Sequence, residues 1–498
     1  MSEVMHREQV MQGEDVLPGE QASLKAGSVS GLEVLAQSVS EIAPSAVVGA
    51  VVALVVQATG PASWVTWVVG VVVLLVVAGV LTLLTARYGS PGGLYALATR
   101  AAGSRIGYLA AWMAFVCYVG GAVAVVFQIS AFATGFLNLP AIGFPYTPLT
   151  TFLVAVVGVS GGAWCSYVNA QASARTMLIT ESISMLLITV LMVLVLITHH
   201  GSIVNSQEFK GFSAHDVLLG IPLVLFAFAG FESSTAFARE AKNPKRAITT
   251  ALVGSVAIAS VFFVFCSYVM VLAFHGSHYD IASSNNLLAT ISKIVGASWY
   301  GYVVDVGVIL SMFAVIIALI NTSSRLLFTL AKERALTAQF ARAHPTRGTP
   351  ATAIGFVWAL CLAGAAIVAL TQSNVENAFG NMGTLSGDAQ GILYLLALIA
   401  VVVWLARRRT EITHRWVQAV IVALLATGAI GYLLYKSFVP VPPSPTNVYV
   451  YILWGVFALA VVLLGVIELS GGKQLRELGS SVVAYEPDHP GDPDRTGA

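Results

Sequence analysis

The sequence predicts an all-α membrane protein of twelve transmembrane helices, and three observations predict it. Of 498 residues, 57% are hydrophobic and only 10% are charged, where a soluble domain carries about 25% charged residues. The chain divides into twelve apolar runs, each near the roughly 20 residues a helix needs to cross about 30 Å of hydrocarbon. Lys and Arg are then shared very unevenly between alternate loops, which gives the chain one orientation.

The elements follow in order. Residues 1–30 are polar and acidic, with no apolar core or small-residue cleavage site, and read as a cytoplasmic tail rather than a secretory signal. The first run, 31–57, contains GLEVLAQSVSEIAPSAVVGAVVALVV, with Pro44 near its middle, Ser45 beside it and Gly49 just beyond. Proline removes a backbone donor and clashes with the carbonyl four residues back, so this helix is expected to break. Runs two to five occupy 62–87, 106–137, 147–167 and 173–199. The sixth, 216–238, has its own weak point at Ala229-Gly230-Phe231 and holds Glu232 at mid-membrane depth. Runs seven to ten occupy 247–274, 299–327, 350–371 and 377–405; runs eleven and twelve occupy 414–436 and 446–468. The remainder, 469–498, includes EPDHPGDPDRTGA and reads as a disordered cytoplasmic tail.

With both termini inside, the cytoplasmic loops hold 17 Lys and Arg residues and the outer loops three, Lys210, Lys293 and Lys436. The net charge of +1 argues against a nucleic-acid partner. Cys117, Cys165, Cys266 and Cys361 all fall in apolar runs at no metal-binding spacing and read as buried thiols. His199 and His200 are expected at an outer helix end. No nucleophile–base pair, His-rich metal cluster or phosphate loop points to an enzyme, and no cofactor is expected.

Several acids remain within the runs: Glu41 in the first, Glu181 in the fifth, Glu232 in the sixth, Asp305 in the eighth and Asp388 in the tenth. Charge at mid-bilayer costs several kcal/mol unless it faces a cavity or is neutralised, so such residues are functional candidates. Tyr118, Ser311, Met312, Thr384 and Ser386 are further pocket candidates on periodicity alone.

Backbone freed by a break is tolerated at membrane depth only where it lines protein or water. The two broken runs are the first and the sixth, and an offset of five spans gives them opposite directions. That pattern predicts an inverted repeat, residues 31–199 against 216–405, with 414–468 outside it and a substrate site at the breaks. A half-helix that begins at mid-membrane points N–H groups at an anion, and one that ends there points carbonyls at a cation. An amino-acid-like zwitterion fits such a pair.

Three segments carry a family resemblance: FAFAGFESSTAFAREAKNPKR (226–246), LTARYGSPGGLYALATRAAG (84–103) and NTSSRLLFTLAKERAL (321–336). They resemble the amino acid–polyamine–organocation family of permeases over roughly residues 25–470. The resemblance implies a leucine-transporter-type fold, five helices plus five inverted helices and two extra. By position, Ile42, Ser45, Ala46 and Val47 should present the first break to the substrate carboxylate. Phe226, Ala227, Ala229 and Gly230 should meet the ammonium, with Phe226 closing over bound substrate. Glu232 matches a glutamate linked to proton sensing or gating. Three departures stand out: Pro44-Ser45-Ala46 replaces a Gly-Ser-Gly break, Glu181 stands on the fifth helix where several proton-coupled members carry a lysine, and Gly89 replaces a proline.

The resulting expectation is a plasma-membrane permease that imports an amino acid or related amine together with a proton, without a sodium site or a visible protein partner other than the lipid bilayer around it. An antiporter, a polyamine or organic-cation importer, and a non-transporting sensor are the alternatives.

Overall fold

The structure, a computed structural model, describes residues 24–88, 93–133, 147–198, 213–275, 277–279, 281, 286–372, 374–407 and 414–479. Residues His199, His200, Gly89 and Lys210, and the segments 1–23 and 480–498 of the expected tails, lie outside the described residues. The described residues are almost entirely helical, with one isolated parallel bridge, Val29 to Ala241. Eleven helices among them are long and apolar enough to cross a membrane, and the protein is a multi-pass membrane protein.

α1 (Gly31–Ile42) opens with a capping box, in which Glu33 Oε2 accepts from Ser30 N–H at 2.8 Å and the Ser30 hydroxyl accepts from Glu33 N–H. α2 (Pro44–Thr59) continues the same run after the break. α3 (Ser63–Tyr88), α4 (Gly93–Ala102), α5 (Ser104–Ala131), α6 (Pro148–Val168) and α7 (Ala170–Thr198) follow. α8 (Ala214–Ala227) stops short, and a 3-10 turn, Ser233–Phe237, continues its run. α9 (Pro244–Phe274), α10 (Leu287–Ile294), α11 (Ser298–Lys332), α12 (Ala351–Thr371), α13 (Val375–Arg407), α14 (His414–Phe438), α15 (Thr446–Leu469) and α16 (Lys473–Glu477) complete the chain.

Eleven of the twelve expected runs thus lie on the membrane-length spans, the first being the pair α1–α2. The run 216–238 is absent from that set because its helix is only 14 residues long. Apolar runs alone do not announce α4, α10 and α16, which are shorter than a bilayer crossing. The last of these lies in the segment from 469 expected to be disordered; Leu475 and Leu478 are buried there, and Gly479 N–H donates to Glu333 Oε2 at 2.9 Å. Before α1, Val29 exchanges backbone hydrogen bonds with Glu240 and Lys242 at 2.9 and 3.0 Å.

Burial is deepest on α1–α2 and α11, then on α5 and α9, while α14 and α15 expose most of their surface. The apolar outer face suits lipid. α1, α2, α5, α8, α11 and α13 therefore form the interior of the bundle. α5 packs along α13, α2 against α8, and α1 against the 3-10 turn, so both interrupted runs face inward.

Candidate functional site

The first break is a single residue. Ala43 takes the left-handed conformation, φ 55° and ψ 60°, between the end of α1 and Pro44 at the start of α2. Pro44 explains the position: it disfavours helical backbone in the residue before it. A left-handed non-glycine residue costs about 1–2 kcal/mol, so surrounding contacts must hold it. Ala43 N–H still donates to Val39 and its carbonyl accepts from Val47 N–H at 2.9 Å. The N–H groups of Ser45 and Ala46 are left without helical acceptors, as at any helix start. Ser45 N–H and its hydroxyl both donate to Glu181 Oε1 at 3.2 Å, and Ser311 Oγ donates to Glu181 Oε2 at 2.6 Å. Glu181 on α7 therefore ties the start of α2 to α11.

The second break opens where α8 ends. Phe226 O accepts from Ala229 N–H at 2.9 Å, while the Ala227 and Ala229 carbonyls accept no backbone hydrogen bond among the described residues. Gly230 has φ +95°, and a Cβ there would lie 2.5 Å from Glu41 Cγ. Only glycine fits, because the two breaks press directly on each other. Ser38 Oγ donates to Phe231 O at 2.7 Å and accepts from Ser234 N–H at 2.9 Å, stitching α1 to the 3-10 turn.

A cavity of about 110 Å³ lies between the breaks. A water needs about 10–15 Å³ of such space, so the cavity admits a small solute. Ile42, Ala46 and Val47 line it from one break and Phe226, Ala227, Ala229 and Gly230 from the other. Met312, Ser386 and Gln390 approach from α11 and α13. Ser45 is not among the lining residues; its donors are turned to Glu181. Phe226 is 37% exposed and lines both this cavity and a second of about 400 Å³, which Asp388 borders. A Cβ at Gly387 would lie 2.7 Å from the Phe226 ring, so that glycine lets the ring lie against α13.

Glu232 is fully buried. Tyr394 donates to its Oε2 at 2.5 Å, Tyr118 to its Oε1 at 3.2 Å, and Gln390 Nε2 approaches both oxygens at 3.3 and 3.4 Å. Tyr394 OH also accepts from Gly230 N–H at 3.4 Å. This carboxyl thus joins the second break to α5 and α13. Further along the chain, Glu240 and Arg325 form a buried bidentate pair at 2.6 and 2.9 Å, with the guanidinium 4.4 Å from the Phe237 ring centre.

Glu41 also lines the cavity. Its Oε2 accepts from Thr322 Oγ1 at 2.7 Å and Gln37 Nε2 at 3.3 Å. Asp388 accepts from Ser437 and leaves Oδ2 without a partner among the described residues; Asp305 accepts from Asn286 at 2.9 Å. Of the periodicity candidates, Met312 and Ser386 reach the central cavity, Thr384 reaches the second, Tyr118 bonds Glu232 and Ser311 bonds Glu181. The cysteines are free thiols, three buried and Cys165 half-buried. Among the described residues, no group of three or more His, Cys, Asp or Glu is placed to hold a metal ion.

The family profile described as Amino acid permease matches residues 30–463. The chain belongs to that family. Its amino-acid-permease relatives include cationic amino acid transporter 5 of Arabidopsis thaliana, 28% identical over 40% of this chain and 34% of that protein. The branched-chain amino acid permease BcaP of Bacillus subtilis is 24% identical over 40% of each chain. The methylthioribose transporter of the same organism is 24% identical over 47% of this permease and 48% of its own length. The matched stretches thus span about a third to a half of these relatives.

Sequence reasoning placed Glu232 and Glu181 among the candidates, and Tyr118 and Ser311 as pocket candidates, without joining them; it missed Tyr394 and Gln390. Tyr394, Gln390 and Ser311 lie more than a hundred residues away along the chain. An intramembrane acid was the one available signal for Glu41, and no run-by-run reading places it against Gly230.

Proposed function

We propose that this permease imports a small amino acid or a closely related amine across the plasma membrane by alternating access, driven by a proton. The observation that carries this reading is the meeting of two helix breaks at one small interior cavity. The start of α2 offers the Ala46 N–H and the end of α8 offers the Ala227 and Ala229 carbonyls. These are complementary partial charges facing one bound molecule.

In this reading the chain crosses the bilayer twelve times with both termini inside. α8 with the 3-10 turn makes the sixth crossing, and α1–α7 and α8–α13 are inverted repeats. Ile42, Ala46, Val47, Ala227, Ala229 and Gly230 bind the solute, and Phe226 gates it. Ser45 acts indirectly, through Glu181. Glu232 and Glu181 are the proton sites, because each carboxyl holds a broken-helix segment against its neighbours. Protonation changes which hydrogen bonds each can accept, and so biases the packing of its break. The names of the relatives span cationic and branched-chain amino acids and methylthioribose, which favours a small-solute transporter without selecting the solute.

The test is uptake of labelled amino acids and amines into proteoliposomes holding the purified permease. An acid-outside gradient should drive accumulation, and a protonophore should abolish it. Binding without flux under any gradient would overturn the transport reading in favour of a sensor; accumulation indifferent to the gradient would overturn proton coupling.

A further inference from the structure

The residues around the central cavity carry a consistent charge preference. Glu41 is over nine-tenths buried, at 7% exposure, and borders the cavity. Gln37 and Thr322 hold its Oε2, and the Ser233 side chain also lies beside the carboxyl. Gln37 is fixed in turn, donating to Ala318 O at 3.0 Å. The arrangement anchors the carboxyl at the cavity wall. Among the described residues, no Lys, Arg or His lines this cavity.

The opposite pole of an amino acid is poorly served. The donors of Ser45 at the start of α2 are already taken by Glu181. A ligand carboxylate would find the Ala46 N–H, with the carboxyls of Glu41 and Glu181 flanking the same break. A ligand ammonium would instead meet Glu41 and the unengaged Ala227 and Ala229 carbonyls. Aliphatic ammonium groups stay protonated at neutral pH, and a buried carboxylate without a cation partner is costly to retain.

We infer that Glu41 is a specificity-determining residue that makes the central cavity select a small organic ammonium ion lacking a carboxylate. The apolar remainder of the wall, including Val47, Val51, Ala124 and Val315, accepts a short hydrocarbon body. The inference deepens the transport reading and rests on its placement of the solute between the breaks.

Matched pairs isolate the carboxylate: alanine with ethylamine, and leucine with isoamylamine. Binding to the purified full chain in nanodiscs is measured by calorimetry, and flux is measured separately in proteoliposomes. Within at least one pair, the amine should bind at least tenfold more tightly than the amino acid. Glu41→Gln, near-identical in shape, should weaken the amine at least tenfold and leave the amino acid within about twofold. Glu41→Asp should recover part of the loss. An amino acid that binds as tightly as its amine, equal weakening of both by Glu41→Gln, or no binding by any of the four probes would overturn the inference. Should Glu41→Gln fail to fold, the wild-type pair comparison and Glu41→Asp still decide. Glu41-dependent amine binding with no flux would sink the transport reading and leave the inference standing.

Discussion

Glu232 shows how much one buried carboxyl can organise. Two phenols and an amide converge on it from α5 and α13, so its protonation state is felt by three elements at once. Glu232→Gln should flatten the dependence of uptake on pH between 5 and 8; an unchanged profile would remove this residue from coupling. Glu181→Gln gives the matching test at the other break, where a lost profile would assign the proton to the α7 acid. Tyr394→Phe removes one donor to a buried acid, a hydrogen bond of about 1.5 kcal/mol, and should slow uptake about tenfold. Sequence alone made Glu232 and Glu181 visible because acids are rare in apolar runs. Tyr118 and Ser311 were candidates on periodicity, but their pairing with these acids, and Tyr394 and Gln390 altogether, were not visible: a tyrosine or serine on a membrane helix is ordinary, and its neighbours are set by tertiary packing. Ser45 illustrates the same limit. Its place at the break was legible from Pro44, but its turn toward Glu181 was not.

The broken helices are the elements on which the site depends. Proline announced the first break, and the structure locates its left-handed residue one position earlier, at Ala43. Glycine announced the second, and the reason became clear only with Glu41 packed against it. Gly230→Ala combines a left-handed backbone cost of about 1–2 kcal/mol with a collision against Glu41. It should lower the melting temperature and nearly abolish uptake, whereas Gly79→Ala, whose added Cβ meets nothing within 4 Å, should do neither. The short α4 and α10 escaped a search for bilayer-length runs because neither is long enough to register.

For the whole molecule, composition and run length were enough to give the helical membrane class, since the bilayer imposes element length directly. What holds the bundle closed required the coordinates. Arg325 and Glu240 are buried together between α11 and the segment after the 3-10 turn. Removing one partner of such a pair strands a charge and costs about 3–5 kcal/mol, so Arg325→Ala should greatly reduce the thermal stability of the purified permease. Arg334→Ala should not, because its pair with Glu477 is exposed. The central claim is that one solute is held between two opposed helix breaks. Its most direct test is a cryo-EM map of the permease saturated with the tightest-binding probe. The account predicts ligand density touching Ala46 on one side and Ala227 or Ala229 on the other, with Ala43 and Gly230 both out of helical conformation. Ligand density elsewhere, or an unbroken helix through either residue, would contradict it.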